Sequence, residues 1–217
     1  MGTLAEVIIK AALQDRVLTE SQLARLLGGS AQRRYNLVNR ALRQGALLRL
    51  RRGRYRLAAA VSGRLPQPFV IAQGLHPGSY VSFETALSDH GWIPEAVPAI
   101  LCTIPGRRRD ELMVPGLGQF RFLPLAPNRG FFLEGVDRRL LDGQAALVAQ
   151  PLRGLLDLLC LNKQDWPGLT GLAEGMRLAP EALAALRPDA LEPFRSVYQH
   201  ARMRTLIDRM QQELAAL

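Results

Sequence analysis

The stretch ALLRLRRGRYRLA, Ala46 to Ala58, sets five arginines among leucines and a tyrosine around a single glycine. Successive side chains on a strand point to opposite faces. The pattern therefore predicts a hairpin turning at Arg52-Gly53, where glycine takes a positive φ at little cost. In that reading Leu48, Leu50, Tyr55 and Leu57 face inward, while Arg49, Arg51, Arg54 and Arg56 face outward with Arg52 at the turn. A ribbon of this kind must lie on a small apolar core, and its guanidinium-covered side suits an anionic polymer.

The preceding residues supply that core. Thr3-Leu4-Ala5-Glu6 and Thr19-Glu20-Ser21-Gln22 each set a hydroxyl three residues ahead of a Glu or Gln, the pattern of a capping box at a helix start. Leu4, Val7, Ile8 and Ala11 follow the first at core spacing; Leu23, Leu26 and Leu27 follow the second, which stops at Gly28-Gly29. Ser30 then caps a third helix, AQRRYNLVNRALRQ, closed by Gly45. Spaced at ~100° per residue, Ala31, Tyr35, Val38, Ala41 and Leu42 predict its buried arc. Gln32, Arg33, Asn36, Asn39, Arg40 and Arg43 predict its exposed arc. An ordinary solvated face holds acid–base pairs at i, i+4, and this one holds no acid. Arginines match guanine edges and phosphates, and amides match adenine.

Three short helices and a hairpin predict a winged helix-turn-helix over residues 1–58, with double-stranded operator DNA as partner. The third helix would enter the major groove, and Arg49, Arg51, Arg52, Arg54 and Arg56 of the wing would meet phosphate. Five such contacts predict a log–log salt slope of about −4 to −5. Charge placement points the same way. Residues 1–58 hold 12 Lys+Arg against 3 Asp+Glu, whereas residues 59–217 hold 16 of each. The whole excess of +9 lies in the head, an asymmetry typical of nucleic-acid binding.

The Pro- and Gly-containing run at residues 59–67 reads as a linker. Beyond it, residues 68–217 predict an α+β domain with a small sheet and C-terminal helices. A helix capped at Ser82 stops at Gly91, with His90 at its C-terminal end; strand-like runs lie at 99–104, 118–123 and 130–134. A helix with Pro151 in its first turn carries Leu152, Leu155, Leu156 and Leu159, and the tail from Pro180 reads as helical. Arg107-Arg108-Arg109 offers a second DNA or RNA contact, but the Asp110-Glu111 pair directly behind it favours a solvated loop tip.

LTESQLARLLGGSAQRRYNLVNRALRQGALLRLRRGRYRLA, YVSFETALSDHGWIPEAVP and AQPLRGLLDLL together resemble the AbiEi-type antitoxins of abortive-infection toxin–antitoxin pairs. The resemblance runs over residues 17–161, in three separated patches in the right order. It implies a repressor that acts on its own operon through the winged helix. The second domain would antagonise a nucleotidyltransferase-type toxin, as in type IV pairs, without a stable complex between them. A stand-alone regulator whose second domain senses a ligand or partner is the alternative.

Chemistry-bearing motifs point nowhere else. The chain has no Gly-rich phosphate loop, His-Glu-x-x-His or Gly-x-Ser-x-Gly, and His76, His90 and His200 lack ligand-spaced companions. No catalytic residue, metal site or cofactor is therefore expected, and an enzyme, such as a DNA-processing one, is not expected. Cys102 and Cys160 read as buried free thiols of a reducing compartment. No apolar run approaches ~18 residues and no leader pattern opens the chain, so the expected location is cytoplasmic with no membrane partner.

Overall fold

The computed structural model describes residues 3–216, with the backbone alone at Leu183. The head contains α1 (Leu4–Lys10), β1 (Leu18–Thr19), α2 (Glu20–Leu27), α3 (Ala31–Arg43), β2 (Leu47–Arg51) and β3 (Arg54–Leu57). Both capping boxes form: Glu6 N donates to Thr3 Oγ1 at 3.3 Å and Gln22 N to Thr19 Oγ1 at 3.1 Å, each with the reciprocal bond. Ser30 Oγ accepts from Arg33 N at 3.3 Å, starting α3. The three strands form an antiparallel sheet in the order β1-β3-β2. Leu4, Ile8, Leu18, Leu23, Ala41, Leu47, Tyr55 and Leu57 form the core beneath it.

The hairpin register differs from the alternation predicted above. Leu47 faces Leu57, Leu48 faces Arg56 and Arg49 faces Tyr55, with a bulge before Arg51 faces Arg54. Arg56 therefore shares a face with Leu48, not with solvent-facing arginines, and is only 3% exposed. The cause is a second covering layer. Leu50 and Val17 pack into an apolar cluster with Phe69, Ile71, Leu75 and Ile104 from the following half of the chain. The ribbon is thus covered on both faces.

The segment at 59–67 begins with α4 (Ala59–Ser62), whose Val61 packs on the head core. Then α5 (Pro68–Leu75), β4 (Tyr80–Val81), α6 (Phe83–Asp89), β5 (Ala99–Ile104), β6 (Asp110–Val114), β7 (Gly118–Pro124), β8 (Val136–Leu141) and β9 (Gln144–Ala149) follow. The larger sheet is mixed, ordered β6-β7-β5-β4-β9-β8. After it come α7 (Pro151–Leu161), α8 (Gly168–Met176), α9 (Pro180–Ala184), a 3-10 helix (Asp189–Ser196) and α10 (Ala201–Ala215). The molecule is therefore mixed α+β, with one small and one larger sheet plus helices. Residues 130–134 are turn rather than strand. The edge strands β6 and β8 carry polar sequences and are only partly covered, which is why neither stood out as an apolar run. Pro188 and Pro193 interrupt the tail and confine it to a 3-10 turn before α10.

One buried polar knot ties this half together. Asp157 on α7 accepts from Tyr80 Oη at 2.9 Å and Ser82 Oγ at 2.7 Å through one oxygen. Its other oxygen accepts from Arg153 Nε and Tyr198 Oη, both at 2.8 Å. Arg153 also donates to Tyr80 Oη at 2.6 Å and to the Glu134 carbonyl at 2.6 Å. Arg153 and Asp157 are fully buried. Burial, then the Asp157 charge, push the Tyr80 and Tyr198 phenols well above the usual tyrosine range. Burial alone would lower the Arg153 guanidinium, and Asp157 and the two phenols more than reverse that. Ser82 occupies the N-cap of α6 without capping it, because its hydroxyl is committed to Asp157. The next residue, Phe83, is held at φ +56°, a conformation that costs a non-glycine residue on the order of 1–2 kcal/mol.

Asp157→Ala would strand the Arg153 charge in the interior. An expected loss of about 3–5 kcal/mol, read as a fall in the urea midpoint, exceeds the ~1–3 kcal/mol of Tyr198→Phe. Equal losses would deny the ion pair its anchoring role. Both cysteines are buried and free. Burial raises the Cys160 thiol to about 11, with Asp157 adding to the effect, and raises Cys102 further. Native protein should resist iodoacetamide at neutral pH, with both thiols reacting after unfolding in urea.

Candidate nucleic-acid interface

Residues on α3 divide by the packing beneath them. Ala41 is buried and Leu37, Val38 and Leu42 are half-buried against the head, leaving Gln32, Arg33, Asn36, Arg40 and Arg43 exposed and Asn39 half-buried. Tyr35, placed by the sequence on the buried arc, is instead 66% exposed. The first turns of α3 project beyond the core, so the apolar period there has nothing to cover it. Tyr35 thus adds to this surface an exposed aromatic ring that helical period alone assigns to the core; its position at the margin of the apolar arc is the signal in the sequence.

Hydrogen bonds then sort the polar residues. Gln32 Nε2 donates to Asn36 Oδ1 at 3.1 Å, which presets the orientation of both amides. Asn39 Nδ2 donates to the Tyr35 carbonyl at 2.9 Å. Arg33 donates to the Leu27 carbonyl at 3.1 Å, satisfying an acceptor at the end of α2 that would otherwise need a cap. Its guanidinium crosses Gly29 so closely that a Cβ there would lie 2.9 Å from it. Arg34 closes the same loop by donating to the Gly29 carbonyl.

The hairpin arginines separate more sharply. Arg51 pairs with Asp110 of β6 at 2.5 Å. Arg54 Nε donates to the Gly74 carbonyl at 3.2 Å. Arg56 is buried; desolvation lowers its pKa and the charge of Asp15 partly restores it. Two of the five arginines expected on phosphate are thus engaged by the protein itself and a third is buried, which corrects the outward placement of Arg56 outright. Arg49 and Arg52 remain exposed. Arg49 lies over the Tyr55 ring, 5.7 Å from its centroid, close enough for a cation–π contact that leaves its outer edge available.

Among the described residues, the side chains of Arg40, Arg43, Arg49 and Arg52 make no hydrogen bond or ion pair, and all four are exposed. A cleft of about 580 Å³ opens between α2, α3 and the hairpin turn, lined in part by Arg34, Tyr35, Asn39, Arg49 and Arg52. Glu20 adds a carboxylate to this lining, and its backbone N–H donates to the Gly53 carbonyl at 3.2 Å, fixing the turn against α2. The surface can therefore offer amides and guanidinium groups side by side, with an aromatic ring among them. No group of three or more His, Cys, Asp or Glu that could hold a metal ion occurs among the described residues. No described helix is long and apolar enough to cross a membrane.

No protein-family model matches the chain, and no curated protein matches it. Among solved structures, it is similar to the RV2827C protein from Mycobacterium tuberculosis, at 14% identity and a TM-score of 0.48, over the whole of this chain and 82% of that one.

If this surface meets phosphate, Arg49→Gln with Arg52→Gln should reduce the salt slope of duplex binding by about 2. Arg56→Gln should leave that slope unchanged, since its charge never reaches solvent. Fluorescence anisotropy across a salt series measures both, and equal slopes for the two variants would remove the hairpin from the interface.

Proposed function

We propose that the protein is a transcriptional repressor that binds duplex operator DNA through a winged helix-turn-helix head. We further propose that it acts as the antitoxin of a type IV, AbiE-like pair and regulates its own operon. The observation that carries the reading is the acid-free exposed run of Gln32, Asn36, Arg40 and Arg43 on α3, in a head whose hairpin also exposes the unpaired Arg49 and Arg52. The head's element order supports it: helix, short strand, two helices and hairpin, with β3 between β1 and β2. In this reading α3 enters the major groove, whose ~12 Å width admits a helix. Asn36 and Gln32 face adenine edges, Arg40 and Arg43 face guanine or phosphate, and Arg49 and Arg52 hold the backbone alongside.

The antitoxin part rests on the family resemblance. Its support is that two of the resembling patches converge: Tyr80 and Ser82 from one meet Arg153 and Asp157 from the other. Those patches then describe a scaffold for a surface that acts on a nucleotidyltransferase-type toxin, with double-stranded DNA as the head's partner. A second reading, a regulator whose second domain senses a small ligand, is favoured by one feature. A cavity of about 510 Å³ is lined on its apolar side by Ile93, Val97, Leu101, Leu158 and Met176, and on its polar side by residues that include Glu84, Glu95, Arg121 and Arg177; this is within the size range of small-molecule sites.

Full-length protein should retard the duplex lying upstream of its own reading frame at low salt. Asn36→Ala or Arg40→Ala should cost about 1–3 kcal/mol on that duplex and little on a scrambled one. Equal loss on both duplexes would deny α3 a reading role. Co-expression with the adjacent gene product should restore growth, and should still do so with Arg40→Ala in the head. Absence of rescue would reject the antitoxin role and favour the ligand-sensing regulator.

A further inference from the structure

The loop joining β5 to β6 carries Arg107, Arg108 and Arg109 at its tip, all exposed. Sequence alone suggests that the Asp110-Glu111 pair just behind them neutralises this charge locally. The structure places both acids elsewhere. Asp110 is engaged by Arg51 of the hairpin at 2.5 Å. Glu111 pairs with Arg121 on β7 at 3.4 Å and also accepts from Gln119 Nε2 at 2.5 Å. None of the three tip arginines makes a hydrogen bond or ion pair among the described residues. The tip therefore keeps its full positive charge.

The same Arg51–Asp110 pair fixes where that charge sits. Arg51 ends β2 one residue before the hairpin turn, and Asp110 begins β6 one residue after the arginine tip. Cα atoms of the two strands come within 8 Å of each other. Leu50, packed in the same apolar cluster as Ile104 and Val114, holds the two loops in a fixed relation. Arg52 of the hairpin turn and Asp110 at the base of the Arg107–Arg109 tip line one shallow recess together with Arg51, Arg54 and His76.

We infer that the Arg107–Arg109 tip is a second phosphate-backbone contact for the duplex that the head binds, extending the protein's footprint beyond the hairpin. This rests on the duplex-binding reading above. A DNA strand presents one charge per ~3.4 Å of helix axis, so loops that rise from paired neighbours such as Arg51 and Asp110 meet phosphates of the same duplex. The chemistry is that of point charges on long, unconstrained side chains, with no amide or aromatic partner to read bases. The tip adds affinity and register, and leaves sequence preference to α3.

The test compares full-length wild type with the variant Arg107→Gln/Arg108→Gln/Arg109→Gln, which changes only exposed side chains. The probes are the duplex upstream of the reading frame and a scrambled duplex of equal length. Three lost contacts should make the salt slope shallower by about 2–3, so that the wild-type advantage shrinks about 40-fold between about 50 and 200 mM salt. Discrimination between the two duplexes should not change, and hydroxyl-radical protection should shorten at one end. An unchanged slope and footprint, with wild type binding normally, would overturn the inference alone. Failure of wild type to bind either duplex at low salt would overturn the duplex reading itself, and this inference with it.

Discussion

Everything in the larger half of the molecule is arranged around the carboxylate of Asp157. It takes four hydrogen bonds from four side chains, on β4, on the residue just before α6, on α7 itself and on the segment after the 3-10 helix. A buried ion pair recovers its desolvation cost only when its remaining lone pairs and protons find partners. Here Arg153 completes its set on the Glu134 carbonyl, so it also fixes the turn at 131–135 that leads into β8. One knot therefore sets the sheet against the helical layer, holds Phe83 in its left-handed conformation and positions α10 through Tyr198. Arg153 and Asp157 are fully enclosed, and the partners they join come from both the sheet and the helical layer, so the cluster ties the two together.

How much of this was legible in the sequence depends on where the determining partner lies. Thr3, Thr19 and Ser30 were readable because a cap is settled within three residues. The exposed positions of Gln32, Asn36, Arg40 and Arg43 followed from helical period over a head core supplied by local leucines. The hairpin was recognised but its faces were not: the bulge after Arg49 and the covering by Phe69, Ile71 and Leu75 come from residues far along the chain. The same holds for Ser82, which reads as a cap and is captured by a carboxylate 75 residues away. Edge strands β6 and β8 lack an apolar face because half of each sees solvent, so periodicity had little to report.

The basic head is more selective in its use of charge than its composition suggests. Arg33 and Arg34 close the loop after α2, Arg51 and Arg54 hold the hairpin against the second half, and Arg56 lies inside. Guanidinium suits these tasks because its several donors meet carbonyl oxygens as readily as carboxylates. A count of arginines thus overstates the charge offered to a polyanion, and the arrangement of Arg40, Arg43, Arg49 and Arg52 matters more than the total.

Val17 and Gly74 meet where the two halves join: a Cβ on Gly74 would lie 2.5 Å from the Val17 side chain. So close an approach, beside the shared burial of Leu50, means that the head is not a detachable unit. Grafting it onto another protein would leave an apolar wound on both pieces, and a chimera would need the whole seam transplanted with it. Rigid seams of this kind make the orientation of the two halves a heritable property, altered more readily by a single bulky substitution at Gly74 than by changes at either outer surface.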